Sequence, residues 1–447
     1  MNLLKILISG FLLNTVISLP ASSADKDAGT FRSEFIAGEL SWDDVEKRAK
    51  EEGSINWFHW GGSEQLNSWI EHSVVPKLAA KGITLKTTRI AGTRDAVDLV
   101  LTELAAGRGV GQGSVDMIWL NGDNFYTLAK QKALFGSFAD KLPNSKYFEF
   151  EKEDPRALLN LSDFGTPTLA REMPWSGEQY ICYLDTKRLP REHAPKDFVE
   201  LEIWLKKNPG RFTYVKPPHY IGNTFVQTAL YAFNSNGHGY KEFQRPITSF
   251  TADEFTKLVQ PGFEYLKRIE PLLLGGETPF YPQNQSVNQS LFNNGEVDFG
   301  CEFGLYLVHN NIKTGAFSET TETLAFPSSG MIKNKNFLAI PINAPHPAAA
   351  LVFADVMSSL DLQLSKLKEI GYPLGVDIWK LSDVDVQAAK AAAPPLHGVT
   401  AEELGGLAVS DTNASLVMVI EKIWIDYIEK KSSLPFAEIV AKYVNAS

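Results

Sequence analysis

Enzyme active sites leave recognisable spacings, and this chain has neither a G-x-S-x-G elbow, an H-E-x-x-H pair, a G-x-x-x-x-G-K-[ST] loop nor a C-x-x-C pair. The glycine-rich run Gly107 to Gly113 follows a helical pattern and precedes a strand-like one, the reverse of the order that aims helix N–H groups at phosphate, so it reads as a surface connection. The eight histidines show no paired spacing with the two cysteines, and neither a metal, a cofactor nor a catalytic residue is expected.

What remains is a set of four loops that combine glycine, an amide or hydroxyl, and an aromatic ring. They are Trp60-Gly61-Gly62-Ser63, Asn121-Gly122-Asp123-Asn124-Phe125, Pro174-Trp175-Ser176-Gly177-Glu178-Gln179 and His219-Tyr220-Ile221-Gly222-Asn223-Thr224. Glycine lets backbone N–H groups approach a ligand, amides and hydroxyls orient it, and rings cover its apolar faces. Taken singly, Ser63, Asp123 and Thr224 read as helix N-caps, and Trp60 and Trp175 as core. Their recurrence at equivalent places favours a ligand site.

These loops hold Asp123 and Glu178 but no Lys or Arg, and Trp60, Phe125 and Trp175 could form an aromatic wall. Acid plus aromatic faces suits a cationic ligand, at ~2 kcal/mol per desolvated cation–π contact. Helix N-termini argue the other way, since they favour anions. Ferric ion is not expected, for want of an adjacent tyrosine pair. Glu302 joins Glu178 as a paired-carboxylate candidate under an alternative reading, a secreted hydrolase acting on a sugar-like substrate. Isolated acids are more often structural. A third reading is an adhesin that binds polypeptide.

The elements that carry the loops alternate. Ser41 and Asp44 resemble a capping box opening a helix that ends near Gly53. Strands at 54–60, 83–90 and 115–120 alternate with helices at 66–78, 95–106 and 126–134, which implies a mostly parallel sheet. A second unit repeats the rhythm: a helix from Asp197, a strand at 211–215, a helix capped by Thr224 with Gln227, another capped by Thr251 with Glu254, and a strand at 297–303. A strand at 337–342 and a helix through Val356 return the chain, and the tail from Asp377 is helical in pattern. No Ser- or Gly-rich linker separates the units, so two packed lobes joined by crossing strands are expected, with crossings near 171–184 and 324–330. In open sheets, ligands collect where strand ends meet helix N-termini.

The net charge of −10 and the absence of basic runs exclude a nucleic-acid footprint. Lys5, the short apolar stretch Ile6 to Leu19 and the small residues Ala21 to Ala24 read as a signal peptide over 1–24, cleaved before Asp25, so the mature chain is expected in the periplasm, soluble. In that oxidising compartment Cys182 and Cys301 are free to pair; as residues of apolar strand-like runs they read more readily as buried thiols.

Five segments in order carry a family resemblance: Phe58 to Gly62, Leu120 to Phe125, Pro174 to Gln179, Lys216 to Phe225, and Gly330 to Ile332 with Ile340 to Ala344. Together they resemble the YnjB-like substrate-binding proteins of bacterial ABC transporters. The resemblance implies an α/β chain with the type II periplasmic binding protein fold, two lobes joined by a hinge around a ligand cleft. Lobe 1 would be 25–172 with 326–447, including the C-terminal helices, and lobe 2 would be 173–325. It further implies a monomer that delivers a small polar ligand to a membrane permease with its ATPase. The tail past Asp377 matches less clearly.

Overall fold

Apolar side chains on every position of a short run mark a strand buried on both faces, and Met117 to Leu120 is such a run: Met117 and Trp119 enter one core, Ile118 and Leu120 another. The structure, a computed structural model, describes residues 23–234 and 239–446. Residues 1–22 of the expected leader lie outside the described residues, and Ser23 and Ala24 begin the helix Ser23–Ala37.

The strands are β1 (Ser54–Trp60), β2 (Thr84–Ile90), β3 (Met117–Leu120), β4 (Ser162–Asp163), β5 (Thr166–Pro167), β6 (Glu172–Asp185), β7 (Phe299–Phe303), β8 (Thr321–Leu324), β9 (Met331–Ala339) and β10 (Ala408–Val409). One sheet runs β2-β1-β3-β9-β6-β7, with β8 also on β6 and β10 on β9, while β4 and β5 form a separate hairpin. The expected parallel pairing holds for β2-β1-β3 and for β10 on β9. It fails elsewhere: β9 runs against β3 and β6, and β6 against β7 and β8. The chain leaves on β6 and comes back beside it on β9, so these neighbours must oppose one another.

Helices cover both faces at each end of the sheet. At the β1–β3 end, Trp57, Leu338 and the wholly buried helix Pro347–Ser358 make one core, and the helices Arg94–Ala105 and Asp123–Lys130 make the other. At the far end, Tyr180, Cys182 and Leu184 of β6 face one core while Ile181 and Tyr183 face the opposite one. The tail helices Ala414–Trp424 and Phe436–Val444 differ from the grouping expected for 326–447. Leu416, Ile420, Ile423, Trp424, Ile439 and Val440 lie in the far-end core with Phe225 and Phe263, because their apolar stripe matches that aromatic surface.

Local signals held where capping chemistry was explicit. Ser41–Asp44 and Thr251–Glu254 form reciprocal capping boxes, and the Ser63 hydroxyl accepts from Leu66 N. The helix expected to be capped by Thr224 instead spans Tyr220–Ala232, capped by the His219 ring. Thr224 sits inside it, donating to the Tyr220 carbonyl. Segment 211–215 is extended but joins no ladder; Asp298 N and Leu274 N meet its carbonyls singly.

The cysteines correct the expectation of two free thiols. Cys182 on β6 and Cys301 on β7 stand directly opposite in register and form a disulfide across a sequence separation of 119 residues. Cross-linking so long a loop restricts the unfolded chain. Replacing both cysteines by alanine is expected to lower unfolding free energy by about 2–4 kcal/mol in chemical denaturation, while non-reducing mass analysis of the parent should show the bridge as a mass two hydrogen atoms below that of the reduced chain.

Candidate ligand-binding site

The carboxyl ends of β1 and β3 bring two of the four loops to the same rim of the sheet. After β1 the chain turns over Gly61 and Gly62, with Gly61 N donating to Ile90 O (3.1 Å) and Asn67 Nδ2 donating back to Gly61 O (2.9 Å). The Trp60 ring lies on Gly62, where a Cβ would come within 2.3 Å of it. After β3, Gly122 adopts φ 64°, a left-handed conformation that favours glycine, and serves as the N-cap of the helix Asp123–Lys130. Its N–H donates to the buried Asp163 Oδ2 (2.6 Å) on the β4–β5 hairpin. Asn121 Nδ2 reaches Asn336 Oδ1 on β9 (3.3 Å).

The third loop lies where β6 passes from one end of the sheet to the other. A bulge between Pro174 and Ser176 takes Trp175 out of the β6–β9 ladder and turns its ring into an aromatic group. Trp175 meets Trp119 edge-on (4.8 Å, 90°) and stacks on Tyr372 (5.7 Å, 15°), and Trp60 meets Trp119 edge-on (6.2 Å). Gly375 backs this wall, since a Cβ there would lie 2.4 Å from the Trp175 carbonyl carbon. The freed Trp175 carbonyl accepts from Lys366 Nζ (2.6 Å) and Gln363 Nε2 (2.8 Å), while its indole N–H is buried without a hydrogen-bond partner.

Three residues on, the buried Glu178 carboxyl accepts from Leu305 N (3.3 Å). Burial pushes it up to about 7, against the pull of that N–H and of Lys366. Burial acts oppositely on Lys366, pushing it well below the usual lysine range.

A second convergence joins three elements. Asp123 opens its helix, Asn223 lies on Tyr220–Ala232, and Glu421 on the tail helix Ala414–Trp424, which packs against Asp123–Lys130. Asn223 Nδ2 donates to Glu421 Oε2 (3.2 Å). Burial, and then the neighbouring Asp123 charge, push Glu421 up to about 7 despite that bond. Asp123 is also raised, by burial, with Arg94 partly opposing. Arg94 spends its guanidinium on Asp98 (2.9 Å).

The structure thus links Trp60 with Trp175 through Trp119, and Asp123 with Asn223 through Glu421. Other candidates have structural employment. Phe125 is fully buried under the Arg171 guanidinium and Trp175 is fully buried behind Trp119 and Tyr372, so neither exposes a ring to a ligand. Gln179 donates to Leu404 O (2.8 Å). Gly222 lets its helix press on 215–217, where a Cβ would lie 2.1 Å from Val215 O. Glu302 points into the far-end interior, accepting from Tyr183 Oη (2.8 Å) and Gln289 Nε2 (3.0 Å). Asn124 keeps a buried Oδ1 without a partner. Sequence reasoning missed Lys366, Tyr372 and Glu421, all downstream of the returning strand. A cavity of about 30 Å³ lies between the β4–β5 hairpin, β9 and Asp411, room for a water or two.

Set beside known proteins, residues 77–392 match the family described as bacterial extracellular solute-binding protein. Protein YnjB of Escherichia coli strain K12 is 31% identical over 371 residues, covering 82% of this chain and 90% of its own. Among solved structures, an ABC transporter substrate-binding protein from Bradyrhizobium japonicum USDA 110 superposes with a TM-score of 0.57 at 17% identity, over 88% of this chain and 99% of its own. The GacH receptor of Streptomyces glaucescens GLA.O, described unliganded and with acarbose, gives 0.62 at 11% identity, over 88% and 97%.

The raised Glu178 carries a pH signature. A carboxyl that holds its proton more tightly when folded makes the native chain bind more protons than the unfolded chain between their two pKa values. Its contribution therefore favours folding below that window, and stability falls as pH rises from about 4.5 to about 7. Glu178→Gln is expected to flatten that fall by roughly 2–3 kcal/mol, read by denaturation at pH 4.5 and pH 7.5.

Proposed function

The chain belongs to the bacterial extracellular solute-binding proteins and has the type II periplasmic binding fold, and on that premise we propose that it captures a small polar, cationic solute in the periplasm and hands it to an ABC import permease. The carrying observation is the convergence of Asp123, Asn223 and Glu421: Asn223 hydrogen-bonds Glu421, whose helix packs against the helix that Asp123 opens, and the Asp123 charge acts on Glu421. These carboxyls come from opposite ends of the sheet and are half-buried; burial raises both, and the Asp123 charge raises Glu421 further. Two acids so placed hold a proton or gather a cation, and a ligand ammonium supplies the charge that lets both ionise. Trp60 and Tyr372, the members of the aromatic group that are only partly buried, offer the apolar face of the same ligand a surface to lie on.

In this reading 1–24 is a cleaved leader, the mature protein is a monomer without catalytic activity, and the permease works with an ATPase. The lobes divide at β6 and β9, following 25–172 with 326 onward and 173–325, except that the tail from Ala414 moves with the second lobe whose core it shares. Glu421 on that tail faces Asp123 on the first lobe, so a cation between them draws the lobes together. Closure is then a population shift driven by contacts that exist only in the closed state.

The test is a thermal-shift and calorimetric panel of small alkylammonium ions, neutral sugars and carboxylates. A matching cation at 100 times its dissociation constant should add about 2.7 kcal/mol to stability. Asp123→Asn and Glu421→Gln should each weaken it at least tenfold, about 1.4 kcal/mol. Affinity should rise from pH 6 to pH 8, because the acids must lose their protons to receive it. A sugar or carboxylate that stabilises the chain where no amine does would refute the cationic reading and leave the family assignment standing.

A further inference from the structure

Four histidines have a partner that fixes one ring nitrogen: the Trp60 carbonyl for His59, Glu369 for His72, Ile221 N for His219 and Asp116 for His346. His309 and His397 have each other instead. His309 Nδ1 stands 3.4 Å from His397 Nε2, with ring centroids 5.6 Å apart and planes 29° from parallel. The two are 88 residues apart in sequence, so no local spacing announces them. Both residues are partly exposed, and neither belongs to the candidate ligand site.

Each ring is carried by a fixed piece of backbone. His309 follows the buried Val308 on the helix Leu307–Lys313, and the next residue, Asn310, donates from Nδ2 to Ile370 O (2.9 Å). His397 lies between Leu396 and Val399, which pack in the same core as Val308 and Tyr183. Its carbonyl accepts from Thr323 N on β8 (2.8 Å). Gly398 beyond it takes φ 79°, and a Cβ there would lie 2.1 Å from Arg191 Nη2 and 2.6 Å from Glu322 Oε2. That glycine lets the loop lie against the Arg191–Glu322 ion pair (2.8 Å).

A separation of 3.4 Å is long for a hydrogen bond from a ring N–H, whose usual range is about 2.7–3.2 Å. It is the separation of two nitrogens on one tetrahedral ion: metal–nitrogen bonds of about 2.0–2.1 Å at the tetrahedral angle set their donors about 3.3–3.4 Å apart. At the right angles of a tetragonal ion the same bonds would set them about 2.9 Å apart. Among the described residues no third His, Cys, Asp or Glu joins the pair in a metal-holding group, so water completes the shell. Lys313, one turn beyond His309, is exposed, and its charge reaches the pair screened by solvent.

We propose that His309 and His397 form a zinc site at the surface of the far end of the sheet, two imidazoles and two waters around a tetrahedral ion, which clips the helix Leu307–Lys313 to the tail segment 393–399. The site is independent of the cationic reading above.

The probe is Zn2+ alone, titrated by calorimetry into the tag-free mature chain after chelator treatment, with His309→Gln and His397→Gln as variants and His193→Gln, at an exposed histidine, as control. Parent and control should take up one ion per chain with the same affinity, and either substitution in the pair should weaken uptake at least tenfold. Co2+ in the parent should give the intense visible bands of a tetrahedral ion, and both variants should lose them. A readout that needs no variant is nitrogen-detected NMR: Zn2+ should move His309 Nδ1 and His397 Nε2 and leave the His346 ring in place. A parent that takes up no Zn2+, or an ion that the two substitutions leave in place, overturns the proposal.

Discussion

Everything in this molecule hangs from the pairing of β6 with β9. Seven register pairs, from Glu172 with Ala339 to Gln179 with Lys333, run antiparallel through the middle of the sheet, broken once by the Trp175 bulge. On one side β9 continues into pairing with β3; on the other β6 continues into β7 and β8. Each end of the sheet therefore owns half of each long strand, and neither end can shift without passing the motion through these two strands. The bulge falls where the two halves meet. A residue taken out of the ladder there costs one pair of hydrogen bonds, and the structure replaces them with Lys366 and Gln363 on the Trp175 carbonyl.

The same crossing is pinned from behind. Lys335, on β9 opposite Gly177, is buried and donates to Asn160 Oδ1 (2.6 Å), Gly375 O (2.8 Å) and Asp377 Oδ1 (2.6 Å). Asp377 in turn accepts from Glu149 N and Asn160 Nδ2. A buried ion pair is a poor source of net stability, but one whose every lone pair and proton is used fixes geometry, because each alternative strands a charge. Here it fixes the segment that seats Tyr372 and Gly375 against Trp175. The aromatic group owes its backing to this polar knot.

This division of labour explains what the sequence reveals and what it conceals. Local chemistry was readable: Ser41, Ser63 and Thr251 cap the helices their spacing announces, and the unbroken apolar run Met117–Leu120 marks a strand covered on both faces. Phe125 and Trp175 look like wall residues as aromatics in glycine-bearing loops, yet one is sealed under Arg171 and the other is swung into the interior against Trp119 and Tyr372 by a bulge that nothing short of the partner strand specifies. Direction of pairing was equally hidden, since an apolar strand buried on both faces reads the same whichever way its neighbour runs. Cys182 and Cys301 meet only because β6 and β7 are antiparallel neighbours in one particular register. Glu421 and Lys366 were out of reach for the same reason: each is an ordinary helical residue until the tail folds back.

The electrostatics follow from that folding back. Asp163, Glu172 and Asp411 are also buried acids, pushed well above the usual carboxyl range by burial, with neighbouring acid charge adding to it. Asp163 uses an oxygen to hold the Gly122 N–H, and so fixes the loop that presents Asp123. An acid that remains protonated in this way can stabilise a loop without attracting a cation, whereas one where the two ends of the sheet pack together is set by that packing. Asp123 and Glu421 are of the second kind, because one rides on a helix of the β3 end and the other on a helix rooted in the far-end core. On the cationic reading proposed above, repulsion between the two carboxyls would disfavour the empty closed form, and a positive guest between them would relieve it.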